Sequence, residues 1–231
     1  MATPAINKNL SHHPIHYGNR YRLSNRKANE NPTKLQILQV GIYLKMPPKI
    51  ILLFSGKRKC GKDFITDQLK ERLGDNCEII KISMPIKSYW AKEMNLNLND
   101  LLSDNSYKEQ YRLDMINWSE KKRNENYGCF CEAACEEATD KPIWIVSDIR
   151  RKTDIKWFQE TFGKLIRTIR LEADDNTREE RGFKFKVGVD DADSECGLDN
   201  YEDWDLVINN GKGRKSVNEQ IEMILRLIDS C

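Results

Sequence analysis

The sequence predicts an α/β fold in three layers: a mainly parallel five-stranded sheet with helices on both faces. Three observations carry this. Short continuous apolar runs, such as KIILLF (49–54) and PIWIVSD (142–148), have the pattern of strands buried on both faces. Segments with helical spacing alternate with these runs, which implies parallel pairing through crossover helices. The 231 residues, 39% hydrophobic and 32% charged, have the length and composition of a globular chain with a sizeable core.

Taken in order, KIILLF is the first strand. A helix follows from about Lys62 to Leu73, with Phe64, Ile65, Leu69 and Leu73 on one side and Gly74 at its end. CEIIKIS (77–83) is the second strand, and Pro85 opens a helix through IKSYWAKEM. Residues 99–138 read as wholly helical. PIWIVSD, LIRTIRLE (165–172) and DLVIN (205–209) supply the remaining strands. IKWFQETF (155–162) and VNEQIEMILRLID supply the remaining helices. Two stretches break the rhythm, 84–140 and 174–203, and are candidates for a helical substrate insertion and a lid.

Residues 1–46 are expected to be a disordered basic extension, and 47–231 the folded domain. Positions 1–45 hold seven Lys and Arg against Glu30 alone, whereas the remainder carries 31 basic and 35 acidic residues. Met46, directly before the first strand, is a candidate alternative start. A slightly acidic body does not suit a nucleic-acid binder, so any basic patch in it is local and fits a small anion. No apolar run reaches the ~18–20 residues that a membrane helix needs. Seven irregularly spaced cysteines suggest reduced thiols in the cytosol. Cys129, Cys131 and Cys135 fit no common zinc spacing and are expected to be buried on a helix. All three histidines lie in the extension, so the body has no Ser-His-Asp or Cys-His machinery and must work with Lys, Arg and Asp.

Between the first strand and its helix stands LLFSGKRKCGKD (52–63), containing Gly56-x4-Gly61-Lys62. Glycines there let backbone N–H groups curl around a phosphate, and the helix start offers free donors and a positive dipole end. Lys62 adds a point charge for the β- and γ-phosphates of a nucleotide. This is the P-loop arrangement, and it makes the fold a three-layer P-loop NTPase. Position 63 is Asp where Ser or Thr is usual: Asp63 either ligates Mg2+ or caps the helix, and both readings stand. A second anion site is expected at Arg150 and Arg151, at the carboxyl end of a central strand, with Asp148 as an outer partner for Mg2+. TREERGF (177–183) places Arg178 and Arg181 on a short lid helix. The acidic run VDDADSE (189–195) follows as a hinge and counter-charge or a metal-coordinating loop.

Together LLFSGKRKCGKDF, SYKEQYRLDMINWSEKKR, PIWIVSDIRR-x3-DI-x-WF, RGF-x3-GVDDADSECGLDN and D-x-VI-x-N resemble the animal-type phosphomevalonate kinase family over about residues 47–229. The resemblance implies an adenylate-kinase-like fold that transfers a phosphoryl group from ATP, with Mg2+, to phosphomevalonate. The partners it implies are small molecules, with no nucleic acid and no membrane, and the protein is expected to be a cytosolic monomer. Residue by residue, it implies catalytic roles for Lys62, Arg58, Lys59 and Arg150. It implies ATP contacts from Lys57, Arg58, Lys59, Cys60, Gly61, Lys62, Asp63, Arg178, Arg181, Gly211 and Gln220. The acceptor side would hold Arg112, Arg123, Arg150, Arg151 and Asn210. This chain departs from the family's pattern at Gly211, where a histidine is expected, and at Ser216, where a cation is expected. A nucleoside monophosphate kinase and a non-catalytic nucleotide switch are the alternatives, disfavoured by the arginine-rich acceptor side.

Overall fold

The computed structural model describes residues 47–103 and 106–230; the extension lies outside the described residues. Five strands form one sheet: β1 (Ile50–Ser55), β2 (Cys77–Ile80), β3 (Ile143–Ile149), β4 (Ile166–Glu172) and β5 (Leu206–Asn209). Their order is β2-β3-β1-β4-β5, and every neighbouring pair is parallel. β1 is therefore central, and its carboxyl end lies between those of β3 and β4. At that edge the chain leaving β1 runs toward β2 on one side and the chain leaving its neighbour β4 runs toward β5 on the other, and such a switch point is where open α/β sheets hold ligands.

All six residues of β1 are buried, which is why its sequence is a continuous apolar run. Its side chains still alternate between faces. Ile51 and Leu53 pack with Phe130, Trp144, Val146 and Phe158 on one side. Ile50, Leu52 and Phe54 pack with Ile65, Leu69, Ile221 and Ile224 on the other. Each such buried side chain contributes ~1.5–3 kcal/mol relative to exposure, so the two clusters fix β1 and whatever its carboxyl end presents.

The second face is covered by α1 (Lys62–Leu73) and the last helix, which runs Val217–Asp229. The first face is covered by a helical region built from α2 (Ser83–Met94), α3 (Leu98–Leu102), α4 (Ser106–Glu125) and α5 (Cys129–Glu136), followed by α6 (Lys152–Phe162). Cys129, Cys131 and Cys135 are buried on α5. Trp90, Ala91, Leu101 and Met115 give the helical region a small core of its own. Two short helices follow β4, α7 (Asp175–Glu180) and α8 (Asp193–Cys196), and the final helix is α9.

One boundary that bears on the site differs from the expectations. The second strand stops at Ile80, not residue 83. The N–H groups of Ile82 and Ser83 donate to the Asp148 carboxylate at 2.7 and 2.9 Å, which turns the chain into α2 before Pro85. Pro85 then sits in the first turn, where a missing N–H loses no helix bond. Residues 99–138 hold helices and no strand among the described residues, as expected; they form α3, α4 and α5, with α5 starting after a bend in which Gly128 N–H donates to the Asn126 side chain.

Candidate active site

The loop between β1 and α1 is held in an unusual backbone conformation. Lys59 has φ 64° and Gly61 φ 90°, the left-handed region that glycine tolerates. A Cβ on Gly61 would also collide with Asn210 Nδ2. Lys62, the first residue of α1, is buried, and its Nζ donates to Asp63 Oδ1 at 2.8 Å. Desolvation in the cavity wall is the strongest single influence and raises the Asp63 carboxyl, but the charge and hydrogen bond of Lys62, with the charges of Lys81 and Arg150, together outweigh it and hold the group below its usual value. Asp63 lies in the first turn of α1, where a carboxylate faces the helix's positive end, and it accepts from Lys62, a position that suits either reading of this residue. Its side chain is 74% exposed.

Two cavities open on either side of this loop. One, of about 410 Å³, has Lys62 and Asp63 in its wall together with Arg112, Arg123, Asp148, Arg150 and Arg151. Lys81 and Lys87 join them, giving seven cationic side chains against three carboxylates, the third being Glu195. The other, of about 720 Å³, lies off the end of β4 and is lined by Lys57, Cys60, Arg170, Asp174, Arg178 and Lys212 among others. Burial pushes the Cys60 thiol up, so it is a packed thiol and not a thiolate.

Most of these cations are already paired, largely with carboxylates from residues 190–199. Arg58 Nη1 donates to both oxygens of Asp190 at 3.0 Å. Arg150 Nη1 donates to Glu195 at 2.6 Å, and Lys57 Nζ to Asp199 at 2.7 Å. Arg170 lies 3.5 Å from Asp199. The counter-charge expected of the acidic run is thus present, and Asp199 extends it beyond the run. On α4, Arg112 Nε donates to Glu109 at 2.9 Å, while Arg151 Nη2 pairs with Glu120.

Two donor atoms in the smaller cavity's wall are left over by this pairing. Arg123 Nε and Arg151 Nε are buried without a hydrogen-bond partner. An unpaired buried donor costs ~1–3 kcal/mol, which an anion reaching it recovers. Arg123 itself is anchored by Asp154, whose Oδ1 accepts from its Nη1 at 2.7 Å. Burial is the strongest single influence on the Arg123 guanidinium and lowers it, but the charge and hydrogen bond of Asp154, with smaller contributions from Cys131 and Cys129, together leave it above its usual value.

Arg178 and Arg181 reach the loop from behind. Arg178 Nε donates to the Arg58 carbonyl at 2.9 Å, and its guanidinium lies 3.9 Å from the Phe183 ring centroid. Arg181 follows α7 instead of lying within it; it donates to the carbonyls of Cys60 (2.9 Å) and Asn210 (2.7 Å). Tying carbonyls back in this way leaves the loop's N–H groups, other than that of Cys60, which donates to the Lys57 carbonyl at 3.1 Å, for an anion. Asn210, implied on the acceptor side, is buried, and its Nδ2 donates to the Cys60 carbonyl at 2.8 Å. Gln220 backs it, donating to Asn210 Oδ1 (3.3 Å) and Lys215 O (2.9 Å). Arg58 and Lys59 stand outside the walls of both cavities; Arg58 turns to Asp190 and Lys59 is exposed.

The two departures from the family's pattern have local reasons. A Cβ on Gly211 would stand 2.5 Å from Asp174 Oδ2. Ser216 caps α9, exchanging bonds with Glu219. Asp154, Asp190, Glu195 and Asp199 are among the site residues that the sequence reading did not single out individually. The signal for Asp154 was an acidic residue three positions after Arg151, the reciprocal half of a capping pattern.

A family model for phosphomevalonate kinase matches residues 54–164. The phosphomevalonate kinase of Drosophila melanogaster is 50% identical over 165 residues, covering 69% of this chain and 87% of that relative. The chain belongs to the phosphomevalonate kinase family. Among solved structures, the Mycobacterium tuberculosis APS kinase is 14% identical, with a TM-score of 0.45 over 79% of this chain and 99% of that one. The shikimate kinase of Bacteroides thetaiotaomicron is 11% identical, with a TM-score of 0.39 over 78% and 98%. Membership puts the strand–loop–helix element and the arginine cluster in one family context, since the matched region runs from Phe54 through α6. Among the described residues no helix is long and apolar enough to cross a membrane, and no three His, Cys, Asp or Glu gather as a metal centre.

Proposed function

We propose that the protein transfers the γ-phosphoryl group of ATP to (R)-5-phosphomevalonate, reversibly, giving (R)-5-diphosphomevalonate and ADP, a step toward isopentenyl diphosphate and sterols. The observation that carries this reading is the placement of two cavities against one phosphate loop, the smaller of them lined by seven cations. In this division the larger cavity takes the nucleotide and the smaller takes the acceptor. Residues 84–140 are then the acceptor-binding region and 174–203 the lid.

The acceptor is itself a phosphate monoester, ionised near neutral pH, so no general base is needed. Catalysis reduces to in-line positioning and charge neutralisation in a site that holds water off. Lys62 borders both reacting phosphates. Arg112, Arg123, Arg150 and Arg151 clamp the acceptor, and the two unpartnered Nε groups give it donors that cost no other bond. Lys57 and the loop's N–H groups through Asp63 meet ATP, and Arg58 and Lys59, which stand outside both cavity walls, would have to turn toward it on binding, while Arg178, Arg181, Asn210, Gly211 and Gln220 hold that loop and its surroundings in shape.

Mg2+ supplies charge neutralisation between the β- and γ-phosphates when bound. Mg2+ usually takes one or two carboxylates together with phosphates and waters. Asp63, ionised, exposed and in the cavity wall, fits a place in such a set. Asp148 fits an outer place, since each of its oxygens accepts one N–H and retains a lone pair. ADP formation from ATP with phosphomevalonate, AMP, CMP or no acceptor tests the reading. Turnover only with phosphomevalonate is expected; turnover with AMP or CMP instead, or with none, overturns it.

A further inference from the structure

Asp154 touches neither cavity, yet three of the four arginines assigned to the acceptor depend on it. Its Oδ1 accepts from Arg123 Nη1 at 2.7 Å. Its Oδ2 accepts from the backbone N–H groups of Arg150 and Arg151, both at 3.1 Å. Asp154 is 1% exposed, so these bonds form in a low-dielectric setting where water does not compete. We propose that Asp154 is a positioning residue for acceptor binding: one buried carboxylate sets where Arg123, Arg150 and Arg151 stand. The proposal rests on the assignment of the smaller cavity to the acceptor.

The geometry differs from that of an ordinary helix cap. A cap needs one N–H of the residue before the helix; here the same oxygen also takes the N–H of Arg150, the last step out of β3. Fixing two consecutive N–H groups fixes the peptide between them, and with it the directions in which the two side chains leave the backbone. Arg151 is accordingly extended, with φ −128° and ψ 152°. The other oxygen reaches across to α4 and holds Arg123 by one nitrogen. Arg123 Nε stays without a partner in the cavity wall, and the guanidinium lies 5.2 Å from the Phe130 ring centroid. Strand end, helix start and α4 are thereby tied at one point, directly behind the acceptor cavity. Helix α6 covers the same point with Ile155 and Phe158 in the core, which keeps water out.

The decisive experiment compares Asp154→Asn and Asp154→Glu with the unaltered full chain at 10 °C, with each substrate varied in turn and a melting curve for each protein. Asn keeps one acceptor oxygen but must present an NH2 to one set of donors, so Arg123 or the Arg150–Arg151 peptide is released. A KM for phosphomevalonate raised tenfold or more is expected for Asn, and about threefold for Glu, with the KM for ATP within twofold. Folded variants with a lower melting temperature but unshifted acceptor KM would make Asp154 a helix cap only and overturn the proposal, as would an equal shift in both KM values. If neither variant folds, amide exchange on the unaltered protein decides. Protected Arg150 and Arg151 amides, further protected by saturating phosphomevalonate, are expected, and free exchange overturns the proposal. Failure of the unaltered chain to turn over phosphomevalonate would instead remove the function itself, which separates the two.

Discussion

Replacing Arg150 with Ala isolates one arm of the acceptor clamp, and its cost has two separable parts. In the structure Arg150 Nη1 donates to Glu195 at 2.6 Å; the Glu195 side chain is 8% exposed and the Arg150 side chain 28%. A hydrogen bond involving a charged group is worth ~1.5–3 kcal/mol. If the acceptor phosphate takes the place of Glu195 on the fork, its loss should raise the phosphomevalonate KM by ~10- to 150-fold at 1.4 kcal/mol per decade. The KM for ATP should move far less. Separately, the variant strands a nearly buried carboxylate, at ~1–3 kcal/mol, which for a domain of this size lowers the melting temperature by ~2–10 °C. Adding Glu195→Gln should restore most of that melting temperature without restoring the acceptor KM. Arg150→Lys should also bind the acceptor poorly, because a point charge replaces a planar fork. Steady-state kinetics with each substrate varied, beside melting curves, reads all of this. A KM shift confined to ATP would refute the acceptor assignment; a melting shift with both KM values intact would reduce the residue to a salt bridge.

Two further predictions follow from the loop and its neighbours. Lys62→Met should lower kcat by at least ~100-fold while the fold survives, since a charge facing the transferred group is lost; near-normal turnover in a folded variant would sink the loop assignment. Asp174, which accepts from Thr177 N–H, the Thr177 hydroxyl and Lys212 N–H, has its carboxyl lowered from 3.8 to about 2, the Thr177 N–H being the largest cause. A depressed carboxyl stabilises above its unfolded value and loses that contribution as pH falls through the folded one. The melting difference between the unaltered chain and Asp174→Asn should therefore persist above pH 3.8 and fade toward about 2; a difference constant across that window would disprove the linkage.

The sheet was legible because strands buried on both faces must be written as unbroken apolar runs, and each of the five stands within a few residues of its reading. The loop was legible because its backbone demands glycine at position 61 and a helix directly after it. What escaped was set by distant partners. The early stop of β2 depends on Asp148, 66 residues away from Ile82. Arg58 and Asp190 are 132 residues apart, and no local pattern announces their pairing. Asn210 carries a residue type equally suited to a ligand and to a carbonyl; only the placement of Cys60 O against it decides. Gly211 and Ser216 looked like losses from a nucleotide site until their neighbours, Asp174 and Glu219, supplied reasons of packing and capping.

The carboxylates of Asp190, Glu195 and Asp199 mean that the cations of this site do not wait bare. Binding is then an exchange of one anion for another, and the number of ion pairs changes little as it proceeds. A ligand that brings a carboxylate replaces like with like and gains almost nothing from the exchange. A phosphate brings more, close to two negative charges near neutral pH and three oxygens on one centre, so it can satisfy several forks at once and still leave the displaced carboxylates to water. If the site works as proposed, the acidic segment would act as a threshold that selects for charge density, favouring phosphate esters over simple carboxylates.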